Sequence, residues 1–189
     1  MRKIILSFQL SLDGIVSDVD EWMSFSDDIL HDALDYYNDI DAAIFGGGTY
    51  QFMSEYWSKA EISSQSQLER KFAKKLNDTN KIILSRKALD MTWRNSHLFT
   101  FNDDRSFIKL IQQLKEQNGK DMTVESGVGL WKQFLLHDLF DELMVFVHPV
   151  IVGKGEKLFD NINSKTNLRL KSERTIDRGV VRLFYEKIT

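Results

Sequence analysis

The sequence predicts an α/β fold: a largely parallel sheet with helices on its faces and an antiparallel C-terminal edge. Three observations carry that expectation. Strand-length apolar runs alternate with segments of helical spacing through the first part of the chain. Two of the runs, Ile82-Ile83-Leu84 and Leu143 to Val147, are almost continuously apolar, which suits strands buried on both faces. The last part is two long strands around Asp177-Arg178-Gly179, a hairpin turn.

In order, strands are predicted at Lys3–Gln9, Ala42–Phe45, Lys81–Ser85, His97–Phe99, Met122–Glu125, Glu142–His148, Leu168–Ile176 and Val180–Ile188. Helices are predicted at Asp27–Tyr37, Thr49–Trp57, Gln65–Asn77, Arg105–Gln117 and Gly129–His137. Phe107, Ile108, Ile111 and Leu114 show the helical period most clearly. Pro149 is the only proline, and no linker, repeat or low-complexity segment interrupts the chain. A single domain over residues 1–189 is therefore expected.

Composition narrows the function. The chain has 189 residues, 42% hydrophobic and 28% charged, an ordinary globular balance. A net charge of −3 gives no electrostatic case for nucleic acid or an anionic membrane. The one basic cluster, Arg70, Lys71, Lys74 and Lys75, reads as the wet face of a helix. With no cysteine there is no disulfide, thiolate metal site or cysteine nucleophile. His31, His97, His137 and His148 share no i, i+3 or i, i+4 spacing, so no metal site is expected. Met1 to Ser7 alternates like a strand and is too short in its apolar run for a signal peptide. No stretch approaches the roughly 20 apolar residues of a membrane span. A cytoplasmic protein is expected.

Five segments carry the chemistry. Ser11-Leu12-Asp13-Gly14-Ile15-Val16 follows the first strand and also reads as a plain turn. Phe45-Gly46-Gly47-Gly48-Thr49-Tyr50 is a strand, a glycine turn and a helix start. Thr49 can cap that helix or help hold a phosphate. Ile83-Leu84-Ser85-Arg86 ends a strand in a hydroxyl and a guanidinium, a pair suited to phosphate. Glu125-Ser126-Gly127-Val128-Gly129-Leu130 is a second strand–turn–helix junction. Such a junction aims free N–H groups and the positive helix end at an anion. Ser126 lacks the Gly-x-Ser-x-Gly setting of a hydrolase nucleophile. His148 to Phe159 is an apolar strand that breaks into the loop Pro149-Val150-Ile151-Val152-Gly153-Lys154-Gly155.

In this order and spacing the segments resemble the dihydrofolate-reductase-like superfamily. The closer branch is related to the C-terminal reductase domain of the bifunctional riboflavin-biosynthesis protein. The resemblance runs from Met1 to about Phe159, and the final hairpin fits it. It implies a three-layer α/β/α fold with a mixed sheet and NADPH across the strand ends. The adenine-side phosphates would lie near Gly46, Gly47, Gly48, Thr49, Ser85 and Arg86. The pyrophosphate would meet Ser126, Gly127, Val128, Gly129 and Leu130. A pterin-like or pyrimidine substrate would enter between the Asp13 loop and the first helix, beside Trp22 and Phe25. The catalytic carboxyl would be Asp27 or Asp13, although Ser26-Asp27-Asp28 equally reads as a helix N-terminus. A homodimer is also implied, with the strand near Val145 and the C-terminal hairpin as candidate interface.

The sequence departs from the branch at three places. Gly47 and Gly48 replace a basic residue in the second turn. Ser126-Gly127-Val128 replaces a run of three glycines. Ile15 replaces a basic residue suited to a substrate phosphate. Two functions follow: an NADPH-dependent reductase of a small heterocycle, or a ligand-binding module that keeps the fold without hydride transfer. A groove filled by Val128 or Trp131 would favour the module.

Overall fold

The computed structural model describes every residue except Ser24, Asn161, Asn163, Ser164 and Thr189. The chain runs β1 (Ile4–Ser11), α1 (Val19–Trp22), α2 (Asp27–Tyr36), β2 (Ile40–Gly46), α3 (Gly47–Ser63) and α4 (Gln67–Asp78). It continues through β3 (Asn80–Ser85), β4 (Ser96–Thr100), α5 (Asp104–Glu116), β5 (Asp121–Val124) and α6 (Val128–Leu136). It ends with β6 (Glu142–His148), β7 (Leu168–Thr175) and β8 (Val181–Lys187). Every predicted strand and helix has its counterpart. The differences are the short α1, which the periodicity did not reveal, and α3, which passes its predicted end at Trp57 to reach Ser63.

The strands form one mixed sheet in the order β4-β3-β2-β5-β1-β6-β8-β7. All pairings from β4 to β6 are parallel, and β8 is antiparallel to both its neighbours. Side-chain alternation along the strands sorts the core into layers. Ala42, Ile44, Ile82 and Leu84 face one side with Phe107, Ile111 and Leu114 of α5 and Trp131 and Phe134 of α6. Ala43, Phe45 and Ile83 face the other side with Leu30 of α2, Tyr50 and Trp57 of α3, and Phe72 and Leu76 of α4. Phe107 and Ile111 are 0% exposed, and burying such a side chain contributes about 1.5–3 kcal/mol. This is the expected three-layer α/β/α arrangement.

Two details of the fold shape the site. β1 pairs with β5 only from Ile4↔Met122 to Leu6↔Val124, whereas its pairing with β6 continues to Ser11↔His148. The sheet therefore splits beyond Leu6 between β1 and β5. The longer helices also begin differently. Side chains cap α2 (Ser26), α4 (Ser66) and α5 (Asp103, in a capping box with Ser106). α3 and α6 start at Gly46 and Gly127 with no side-chain cap.

The strand near Val145 cannot supply a dimer interface. It is β6, paired on both edges, and Val145 is buried in the core. The hairpin does form a sheet edge: β7 is exposed over nearly its whole length. Among the described residues, no helix is long and apolar enough to cross a membrane.

Candidate functional site

The split between β1 and β5 opens into a cleft of about 750 Å³. It lies at the carboxyl ends of the parallel strands, where open α/β sheets leave a crevice. Ser7, Phe8 and Gln9 of β1 form one side, and Glu125 to Val128 form the other. Phe45, Met144 and Phe146 contribute from one face of the sheet, while Val16 and Trp131 reach it from the other. The Lys3 carbonyl accepts from Met122 N on β5, and the Ile4 carbonyl accepts from Asp141 N on the opposite side. By strand alternation the Ser7 carbonyl and the main-chain groups of Gln9 point into the split, where β5 no longer pairs with them.

The two uncapped helix starts meet along one wall. Ser126 joins them: its Oγ accepts from Gly46 N at 2.9 Å and lies 3.4 Å from Thr49 Oγ1. Thr49 Oγ1 in turn donates to the Gly46 carbonyl at 3.0 Å. The corner is tight at Gly47, where a Cβ would stand 2.7 Å from Ser85 Oγ; close packing requires glycine there. A Cβ at Gly48 or Gly129 would meet nothing within 4 Å, so both positions open outward. The first N–H groups of each helix, at Gly47 to Thr49 and at Val128 and Gly129, have no intrahelical acceptor. Two positive helix ends thus point into one corner. Arg86 lies past Ser85 at the end of β3. Its side chain is 60% exposed, and its contact with Asp104 is a loose 3.8 Å. Val128 packs against the core beneath α6, and Trp131 donates from Nε1 to the Val124 carbonyl at 3.2 Å. Neither fills the cleft, whose volume remains open beside them.

The carboxyl at the cleft floor is Glu125, which the sequence reading treated only as the end of a strand. Its N–H donates to the Ile44 carbonyl at 3.0 Å, which turns the chain toward β2 and away from β1. Thr123 Oγ1 donates to Glu125 Oε1 at 3.1 Å. Burial raises the carboxyl from 4.5 to about 7, although hydrogen bonds from Thr123 and Ser7 pull it down. Tyr36 lines the same floor, and burial, then the Glu125 charge, pushes its phenol well above 10.0. A carboxyl held above its ordinary range and a neutral phenol therefore sit together.

The expected carboxyls lie elsewhere. Asp13 is not among the residues lining the cleft. It accepts from Ser11 Oγ at 2.7 Å, from Val152 N at 3.1 Å and from Gly153 N at 2.8 Å. These hydrogen bonds, led by Ser11, lower its carboxyl to about 2, so it is a poor proton donor. It ties the 11–17 loop to the 150–157 loop. Val16 N also donates to Glu156 O, and Glu156 N to Ser17 Oγ. Gly155, with φ +143°, brings the backbone so close to Ile15 that a Cβ would lie 2.6 Å from its Cγ2. Asp27 is the exposed first residue of α2 and borders a separate depression with His31 and Lys71. The buried acid of α2, Asp32, is held by Arg182 at 2.7 Å and Arg174 at 3.0 Å. Of the two expected substrate contacts, Phe25 lines the cleft. Trp22 stands behind it, donating to Ser17 O at 2.8 Å with its ring edge-on to His148. Phe52, Met53, Tyr56 and Trp57 of α3 supply the wall that was expected of Trp22.

A mixed sheet that parts between its central parallel strands, over two such helix starts, defines the dihydrofolate-reductase-like fold. The chain belongs to the RibD C-terminal domain family, whose model matches residues 2–182. It is 28% identical to YyaP of Bacillus subtilis (strain 168) over 187 residues, 97% of this chain and 94% of YyaP. A Shewanella sp. PV-4 protein described under riboflavin biosynthesis superposes with a TM-score of 0.74 at 15% identity, covering 99% of both chains. Enterococcus faecalis dihydrofolate reductase, solved with NADP(H), superposes with a TM-score of 0.64 at 10% identity, covering 99% of this chain and 97% of that one. These similarities establish the fold and the riboflavin-type reductase branch.

Proposed function

We propose that the protein is an NADPH-dependent reductase of a small heterocyclic substrate. One observation carries this reading: the split sheet sets two uncapped helix starts beside a protonatable Glu125. Membership of the RibD C-terminal domain family supports it, as does the fold shared with a reductase solved with NADP(H).

The residues present fit the cofactor. Gly47, Gly48 and Thr49 on α3 and Val128 and Gly129 on α6 would hold phosphate oxygens through main-chain N–H groups. Ser85 and the loosely held Arg86 would take a further phosphate at the edge. The Ser7 carbonyl and the main-chain groups of Gln9 would orient a planar amide inserted in the split. NADPH supplies the hydride for a C=N or C=C bond of the substrate. Glu125, protonated below about pH 7, holds the matching proton at the cleft floor. Thr123, donating to Oε1, keeps that carboxyl positioned. The apolar walls from Phe8, Phe146 and Trp131 exclude water from the reacting atoms.

The test is titration with NADPH, followed by cofactor fluorescence. Saturable binding that falls sharply with salt is expected, since the contacts are to phosphate. Absence of binding at millimolar cofactor would refute the reading.

A further inference from the structure

The charges of the cleft are one-sided. Its described lining holds three carboxylates, Asp18, Asp20 and Glu125, and no lysine, arginine or histidine. The residues outside the description are serine, asparagine and threonine and add no cation. Arg86 lies outside the lining, and Lys71 and His31 face the separate depression beside α2. Ile15 is 2% exposed and packed against Gly155, so the Asp13 loop brings no cation either. A phosphate on the substrate would find no cationic side chain in the cleft and would face Asp18 and Asp20, the helix-start N–H groups of the far corner being the proposed seat of the cofactor phosphates.

The mouth of the cleft is aromatic. Phe25, Phe52 and Tyr56 are 44%, 67% and 43% exposed, a large apolar area to leave in water. Phe52 and Tyr56 stack at 6.2 Å with an interplanar angle of 22°, and Tyr56 meets Trp57 edge-on at 4.9 Å. Tyr56 Oη donates to Glu69 Oε1 at 2.5 Å, which pins the ring. Burial and the Glu69 hydrogen bond raise its phenol to about 12, so it stays neutral. A fixed aromatic wall of this kind binds flat apolar groups at little entropic cost.

We propose that the substrate is a phosphate-free planar heterocycle bearing an apolar or aromatic substituent. Its polar edge meets Glu125 and its substituent lies on Phe25, Phe52 and Tyr56. This rests on the reductase reading for the assignment of the two ends of the cleft.

Three pterins that share one ring separate the terms: 6-phenylpterin, 6-hydroxymethylpterin and the phosphate ester of the latter. Binding is followed by pterin fluorescence without NADPH, at physiological salt. The phenyl compound is expected to bind about tenfold tighter than the hydroxymethyl compound, the size of an aromatic contact. The phosphate ester is expected to bind at least about tenfold weaker than its parent, since the charge is unpaired. Phe52→Ala, at an exposed position, is expected to remove most of the phenyl advantage, weakening the phenyl compound far more than the hydroxymethyl compound. An ester that binds as well as its parent overturns the proposal. So does a phenyl compound without advantage, or failure of all three to bind. NADPH titration of the same sample reads the cofactor separately. Retained phenyl preference without NADPH binding would remove the reductase reading and leave the ligand class standing.

Discussion

The two ends of the cleft recognise by opposite means. The corner at Gly46–Thr49 and Ser126–Gly129 offers main-chain N–H groups and almost no side chains. The mouth at Phe25, Phe52, Tyr56 and Trp57 offers rings and no positive charge. In the proposed reading one end receives an anion and the other disfavours one, so a single opening would orient a ligand pair in which only one member carries phosphate. The difference also fits the caps of the longer helices: α2, α4 and α5 use Ser26, Ser66 and Asp103 on their own N–H groups, and the two helices at the corner do not.

The largest effect is expected between the two ends, at Glu125. Glu125→Gln keeps the shape but cannot release a proton, and turnover should fall roughly 10²- to 10⁴-fold. The wild-type rate should decline as pH rises through about 7, and the variant should lose that limb. Stability follows the same sign. The folded value, about 7, lies above the ordinary 4.5, so the stability linked to protonated Glu125 is complete below 4.5 and lost as pH rises through about 7. Denaturant melts across that range, with the Gln variant flat, check it.

Next comes the anion corner. Gly48 faces open space, so Gly48→Asp places a carboxylate at an uncapped helix start without a clash. NADPH affinity should drop about 100-fold, while thermal stability rises slightly through the helix dipole. Opposite signs in the two measurements would separate anion competition from misfolding. Gly48→Arg should act the other way, tightening NADPH about tenfold with a steeper salt dependence. At the mouth, Asp20→Lys sits on an exposed position and should recover part of the affinity for a phosphorylated pterin. The smallest effect is expected at Asp13. Its lowered value, about 2 against 3.8, gives stability that is present above 3.8 and lost as pH falls through about 2. Asp13→Asn should flatten that acid limb in thermal melts and leave hydride transfer in place.

Most of the fold was legible because its signals are local. Ile82-Ile83-Leu84 can only be a buried strand, and Phe107, Ile111 and Leu114 can only face a core as a helix. α1 escaped because one turn has no period to detect. The end of α3 escaped because Ser58 to Ser63 carries neither a proline nor a glycine to mark a stop. The corner where two uncapped helices start was legible from its glycines, though for a partly different reason: Gly47 is required by Ser85. Glu125 was not legible as an acid. Its environment depends on β5 parting from β1, a separation between segments 118 residues apart in the Lys3–Asp121 contact. Trp22 and Phe25 could be separated only by their partners, since both are aromatic and three positions apart.

The place of β1 has a consequence for synthesis. β1, made before either of its neighbours, lies inside the sheet between β5 and β6, and its loop is fastened by Val152 and Gly153. β5 begins 110 residues after β1 ends, and β6 follows it. β2, β3 and β4 with α3 and α4 can pair earlier through shorter loops. The opening stretch of the chain must therefore wait, and the cleft is the last part of the molecule to take shape.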